Sequence, residues 1–453
     1  MIHPERLKSL NDKNIRKGDY VLYWMQASQR SECNHALEYA VRRADELKLP
    51  MVAFFGLTPD YPGANERHYA FLLEGLAEVR ALLAAKGVQL VIRIVSPERG
   101  AAEMAERAAL AVVDRGYTRT QRIWRTRAAE AMDCVLIQVE TDAVVPVETA
   151  SPKEEWSAAT FRPKMRALRD EFLKALPERK PRRDSLGLEL DSLDLKDPET
   201  VLAGLPIDRS VKRTRFFAGG PSEARGRLRR FLKDRLDHFA ELRNIPTLDA
   251  QSHLSPYLQF GQISPLQAAR AAMEAGGPGV EPFLEELLVR RELSLNFVHY
   301  NPGYDQWEAV PAWARAALAG HAADARPALY TPRELEEART QDPYWNAAQD
   351  EMRITGKMHG YMRMYWGKKI LEWSRSAETA FRIALALNNK YELDGRGPNG
   401  FAGVAWCFGK HDRPWPSRPV FGTVRSMNAA GLRRKFDADQ YVRMIERLRS
   451  TPA

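Results

Sequence analysis

The sequence predicts a two-part chain: an α/β N-terminal domain on a doubly wound parallel sheet, then an all-α C-terminal domain. Three observations lead there. Short apolar runs alternate with amphipathic stretches over roughly residues 1–150, a polar and proline-rich passage follows, and from Pro221 onward apolar residues recur at helical spacing. Taken in order, the apolar runs Tyr20–Met25, Met51–Leu57, Val88–Val95, Leu110–Asp114 and Cys134–Glu140 read as five strands. Amphipathic helices are predicted between the first three, from about Asn34 to Lys48 and from Tyr69 to Lys86, which is the rhythm of βαβ units. This domain is placed at residues 1–150. No GxGxxG opens it, so its glycines do not say what it binds. Residues 151–220 are read as an interdomain linker, most polar between Pro177 and Arg215, and 221–453 as the helical domain, punctuated by GGPG (Gly276–Gly279) and DGRGPNG (Asp394–Gly400).

Composition bounds the function. With 453 residues, 44% hydrophobic and 9% aromatic, the chain has material for more than one large core. There is no run of about 18 apolar residues, and the N-terminus MIHPERLKSLNDKN lacks the apolar core of a signal peptide. The expectation is a soluble cytoplasmic or intracellular protein without a membrane partner, nucleoid-associated if prokaryotic. Cys33, Cys134 and Cys407 are too few and scattered for a disulfide framework or a CxxC metal site. The net charge of +9 permits a polyanionic partner, and basic residues interleave with aromatics in 229–235, 409–418 and 425–436. Each such stretch taken alone is a solvated helix face.

The densest chemistry lies in FLEELLVRRELSLNF (Phe283–Phe297). Phe283, Leu287, Leu288, Leu295 and Phe297 form a buried stripe, Glu286 and Arg290 stand one turn apart, and Arg291 has Glu292 beside it. An isolated run of this kind would be an ion-paired surface face. It has company. SHLSPYLQFGQISP (Ser252–Pro265) brings hydroxyls and two X-Pro turns before a helix, a pattern that serves as an N-cap or, with Arg363 and Asp394, as a pyrophosphate cradle beside an ion pair bracketing a flat polar ring. Trp366 and Trp373, about 10 Å apart in rise on one predicted helix, share a face with Met362 and Ile370; by spacing alone this is core packing. Trp345 cannot be placed beside them by periodicity.

Together YWMQASQR, RHYAFLLEGLAE, RPKM, HLSPYLQFGQIS, FLEELLVRRELSLNF, KMHGYMRMYWGKKILEW, NNKYELDGRGPNGFAGVAW and GKHDRPW resemble, in order and over nearly the whole chain, the class II cyclobutane pyrimidine dimer photolyases of the photolyase and cryptochrome superfamily. The resemblance implies an antenna-type N-terminal domain, FAD active as FADH⁻ in the helical domain, an antenna chromophore of unknown identity, and UV-damaged DNA as partner of a monomer. It implies that Gln251, Ser252, Leu254 and Ser255 hold the phosphates, that Arg363 and Asp394 pair beside the isoalloxazine, and that Asn388 lies near flavin N5. By the same carry-over Glu286 hydrogen-bonds the flipped dimer and Trp406 and Met364 wall it. Arg243, Arg290, Asp412 and Arg413 contact substrate or DNA, and Trp366, Trp345 and Trp373 form the photoreduction chain. Phe239, Ser417, Thr423 and Ser426 depart from the family pattern, as does CNHAL (Cys33–Leu37), so no antenna chromophore is read from that stretch. Three rival expectations remain: a cryptochrome-like photoreceptor without repair, a basic nucleic-acid-binding module, and action on the 6-4 photoproduct through His359, a histidine more in keeping with a structural role.

Overall fold

The structure, a computed structural model, describes residues 2–450. Six strands form one sheet in the order β1-β6-β5-β2-β3-β4: β1 Leu7–Ser9, β2 Tyr20–Trp24, β3 Met51–Leu57, β4 Gln89–Ile94, β5 Ala108–Asp114 and β6 Leu136–Val139. Every residue of β2, β3 and β5 is buried, which is why these read as unbroken apolar runs and not as alternating ones. The five expected strands are all present and parallel to one another. The sixth, β1, was not anticipated. It pairs antiparallel with β6, Leu7 opposite Val139, and its sequence Leu-Lys-Ser is too short and polar to show alternation.

Helix ends follow their caps. Asn34 accepts a hydrogen bond from Leu37 N at 3.0 Å, and Lys48, at φ 57°, closes the helix His35–Leu47. The second expected helix begins earlier than Tyr69, at Glu66, because Asn65 and His68 form a capping box.

The passage between the domains is less of a linker than its composition implies. Ala158–Phe172 is a full helix, Pro198–Gly204 a short one, and Leu195, Leu202 and Leu205 are buried against the N-terminal core. Between them the chain runs along the free edge of β4. Ser185 Oγ accepts from Gln89 N at 2.8 Å, Ser192 Oγ accepts from Ile92 N at 3.0 Å, and Leu193 N donates to Ile92 O at 2.7 Å. Polar residues there cover an edge that would otherwise template pairing with another chain.

Two arginines join the halves. Arg67, 4% exposed, donates to the carbonyls of Lys212 (3.1 Å), Met352 (3.2 Å) and Tyr391 (2.9 Å). Arg30 donates to Asp142 at 2.7 Å and to the Gly261 carbonyl at 2.9 Å. Strand order reverses between β5 and β2, and Asp114, at the end of β5, accepts from Tyr23 Oη at 2.7 Å and from the backbone of Gln26, Ala27 and Ser28. Beside that reversal lies a small cavity of about 110 Å³, walled by Trp24, Tyr61, Tyr69, Trp124, Phe260 and Arg396.

Candidate active site

The charged stretch 283–297 does not form one continuous α-helix. An α-helical start, Val280–Leu284, passes through a single π-helical turn, Glu285–Arg290, into the helix Arg291–Tyr300. The wider turn changes which charges meet. Residues five apart come into register, so Arg290 Nε reaches Glu285 at 3.3 Å, and Glu286 is turned away from Arg290 toward Arg243 Nη2 at 3.5 Å. The i, i+4 pairing of Glu286 with Arg290 expected from the spacing is therefore replaced. Burial raises the proton affinity of Glu286 while Arg243 and Arg290 oppose it, although 42% of the side chain is still exposed at the rim.

Glu286 and Arg290 edge a cleft of about 400 Å³ in the helical domain. The same cleft is lined by Gln251, Ser252, Leu254 and Ser255, by Arg363 and Asp394, and by Trp406. Segments scattered over more than 150 positions of sequence are thus brought to one cavity, as the resemblance implied. At its base Arg363 Nη2 lies 3.2 Å from Asp394 and 3.1 Å from Glu392, whose side chain is fully buried. Burial pulls the Arg363 guanidinium down, but Asp394 and Glu392 outweigh it and hold it firmly charged. Asp394 is pushed up by burial and brought below its usual range by Arg363 and Lys357, whereas burial and the neighbouring Asp394 raise Glu392.

Several groups here are poised for a ligand. Arg363 Nε is buried without a hydrogen-bond partner, and Ser255 Oγ, turned toward Asp394, makes no well-formed bond. A Cβ added to Gly403 on the cleft wall would meet nothing within 4 Å. A cradle with hydroxyl and amide donors at one end and a buried arginine–carboxylate pair at the other fits a dinucleotide with a flat polar ring.

Sequence reasoning missed two members of this set. Lys357 donates to Gln251 Oε1 at 3.1 Å and lines the cleft, placing a cation at the expected phosphate end. Glu392 adds a second carboxylate on Arg363. Both stood inside quoted motifs, but neither spacing nor charge pattern distinguished them from surface residues.

The remaining expected residues fall as follows. Asn388 is buried, donates to Asn389 Oδ1 at 3.2 Å, and supports the loop that carries Asp394; a Cβ on Gly395 would lie 2.7 Å from its carbonyl oxygen. Met364 is half-buried next to Arg363, outside the residues lining the cleft. Asp412 ties a turn, accepting from Arg413 N at 2.9 Å and Trp415 Nε1 at 3.3 Å, and Arg413 is exposed above the Trp415 ring. Phe239 lines the cleft within an aromatic cluster, edge-on to Phe231 and Phe283, which accounts locally for an apolar ring there. Of the other departures, Ser417 Oγ lies 3.3 Å from His321 and Thr423 accepts from Trp415 N at 2.8 Å. His359 caps its helix by accepting from Tyr361 N at 3.1 Å, and burial pushes its pKa down to about 3, a structural role.

The three tryptophans do meet. Trp345 wedges between the other two, stacked on Trp366 (centroids 6.5 Å apart, planes 6° apart) and edge-on to Trp373 (5.7 Å, 69°). Trp345 Nε1 donates to the Trp366 carbonyl at 3.0 Å and Trp366 Nε1 to Gln349 at 2.8 Å, so the rings are fixed in place.

This arrangement, a doubly wound sheet followed by a helical domain with a dinucleotide cradle, is the photolyase and cryptochrome fold. The archaeal photolyase from Sulfolobus tokodaii, solved with two FAD molecules, superposes with a TM-score of 0.72 over 95% of this chain and 91% of that one at 17% identity. The DNA photolyase family profile matches residues 21–182. The deoxyribodipyrimidine photo-lyase of Methanothermobacter thermautotrophicus is 52% identical over 99% of both chains, and that of Potorous tridactylus 37% identical over 94% of this chain and 81% of its own. The chain belongs to the DNA photolyase family, and full-length likeness to several deoxyribodipyrimidine photo-lyases makes it an enzyme of that type. The likeness to the Potorous tridactylus enzyme agrees with the class II resemblance.

Proposed function

We propose that this enzyme repairs cyclobutane pyrimidine dimers in DNA using light, with FAD held in the cleft between Gln251–Ser255 and Arg363–Asp394. The observation that carries the reading is the shared cleft: a firmly charged Arg363 at its base, a carboxyl group of raised proton affinity at its rim, and Trp406 in its wall. The chemistry that reduced FAD brings when bound is the light-driven loan of one electron to the dimer, with no net redox change.

The protein's part follows from its residues. Gln251, Ser252, Ser255 and Lys357 bind the phosphates, and Arg363 favours an anionic ring system by proximity of charge. Leu254 packs beneath them, and Asn388 steadies the loop around Asp394. Glu286, whose proton affinity burial raises against the pull of Arg243 and Arg290, donates a hydrogen bond from its protonated form to a dimer carbonyl and so stabilises negative charge that develops there. Trp406 walls the extruded lesion and excludes water. Base flipping is general to enzymes of this kind, and a covalently joined dimer, already poorly paired, costs less to extrude. Arg243, Arg290, Asp412 and Arg413 lie on the DNA-facing side, with phosphate contacts supplying affinity and the pocket supplying lesion choice. Trp366, Trp345 and Trp373 form the route by which reducing equivalents reach the cleft. Glu286 and Trp406 favour repair over pure light sensing. Among the described residues no helix is long and apolar enough to cross a membrane.

The test is direct. Purified protein should contain FAD, and UV-irradiated oligonucleotide incubated with the reduced enzyme should lose its dimers under blue light and keep them in the dark. Dimer loss in the dark, or flavin with no loss under light, would sink the proposal.

A further inference from the structure

Among the described residues, which include all ten tryptophans, Trp156 is the most exposed tryptophan, at 55%. Among the described residues its indole makes no ring contact or hydrogen bond, yet the backbone around it is held by side chains from two other segments. Its carbonyl accepts from His411 Nδ1 at 3.0 Å. Glu155 N donates to Asn296 Oδ1 at 2.8 Å, and Asn296 Nδ2 donates in turn to the Lys153 carbonyl at 2.9 Å. Glu155 is buried against Ser151 and Lys164, and Glu154 is paired with Lys410.

That clamp joins Trp156 to the cleft. His411 lines the cavity, held at a positive φ of 59° and edge-on to Phe297. The helix that follows Trp156 carries Arg162, which forms a two-point pair with Glu285, the residue before Glu286. Arg290, exposed, lines the same cleft, and exposed Lys153 and Arg413 stand three and two residues from Trp156 and His411 in the chain. A rigid, uncovered indole among cations at the mouth of a nucleic-acid site has the makings of a base-stacking platform, since every base presents a π face. A large exposed aromatic is costly to hold out in water without a partner.

Resting on the repair reading above, we infer that Trp156 stacks on a nucleobase of the damaged DNA next to the extruded dimer, and that it contributes to binding and not to the chemical step. His411, with its other ring nitrogen buried and unpaired, is the positioning residue that presents it.

The experiment compares wild type, Trp156→Ala, Trp156→Phe and, as a control for loss of an exposed apolar side chain elsewhere, Leu186→Ala. Dissociation constants for dimer-containing and undamaged duplexes would be measured by fluorescence anisotropy, together with flavin content, unfolding midpoint and the light-driven repair rate at saturating substrate. Trp156→Ala should weaken binding of dimer-containing duplex by about 10-fold, the scale of one lost base–aromatic stack. Trp156→Phe should recover most of that, Leu186→Ala should bind as wild type, and all four should match in saturated rate and flavin content. Undiminished affinity in Trp156→Ala, or an equal loss in Leu186→Ala, overturns the assignment. A wild type with no preference for dimer-containing DNA overturns the repair reading and this inference with it.

Discussion

At Glu286 a carboxyl group sits half in water and half in protein, and which half dominates decides its chemistry. Burial raises its pKa while Arg243 and then Arg290 pull it down. The protonated form, the donor in this account, is therefore present to higher pH than for a free glutamate and is lost as pH rises through the shifted value. The repair rate of chemically reduced enzyme should fall across that rise. Arg243→Ala, which removes the stronger opposing cation, should move the fall to higher pH. Glu286→Ala should lower the rate about 10-fold, the scale of one hydrogen bond to a developing charge, with flavin retained. An unchanged rate in Glu286→Ala, or a pH profile in Arg243→Ala identical to wild type, would remove Glu286 from the mechanism. At this scale the sequence was legible in part. Motif order singled out Glu286, Arg363 and Asp394, which the fold brings to one cleft, but the contacts of Lys357 with Gln251 and of Glu392 with Arg363 join positions far apart in the chain, and no local pattern reports them.

The element that does most to shape the rim is the π turn Glu285–Arg290. Apolar spacing at Phe283, Leu287 and Leu288 read correctly as a buried helical face, but an extra residue in one turn leaves that spacing nearly intact while rotating every charge after it. The sequence thus showed a helix and not the register of its acids. Similarly, Trp366 and Trp373 shared a predicted face, yet the middle ring of the stack comes from Trp345 on a different helix. Trp366→Phe should abolish light-driven reduction of oxidised flavin, followed by absorbance under anaerobic illumination with an external reductant, while repair by chemically reduced enzyme is spared. Photoreduction at the wild-type rate would mean that electrons take another path.

Across the whole molecule, the two domains are joined by buried polar contacts whose loss should be felt globally. Arg67→Ala would leave the Lys212, Met352 and Tyr391 carbonyls without their donor, and should cost on the order of 3 kcal/mol in unfolding measurements. A loss below about 1 kcal/mol would show that water replaces the guanidinium. Glu292 is another such contact, accepting from Val144 N at 2.6 Å and Val145 N at 3.2 Å. Burial, opposed by Arg291 and by these bonds, pushes its pKa from 4.5 up to about 7. The folded state then holds a proton that the unfolded state releases, so this stability is full below about pH 4.5 and is lost as pH rises through 7. Glu292→Gln should flatten that part of the dependence of unfolding midpoint on pH; an unaltered slope contradicts the assignment. The α/β and α division was legible because parallel strands buried on both faces and one-sided helices leave unlike patterns. The packed course of residues 177–215 was not, because serines covering a strand edge look like loop composition.

The central claim is that light and this cleft together open the cyclobutane ring. Its most direct test is the ultraviolet absorbance of a dimer-containing oligonucleotide mixed with anaerobically reduced enzyme, recorded in darkness and then under blue light, for wild type and Glu286→Ala. Thymine absorbance should return only under light, and about 10-fold more slowly in the variant. Full flavin occupancy with no return of absorbance in wild type would contradict the account and turn the chain toward light sensing without repair.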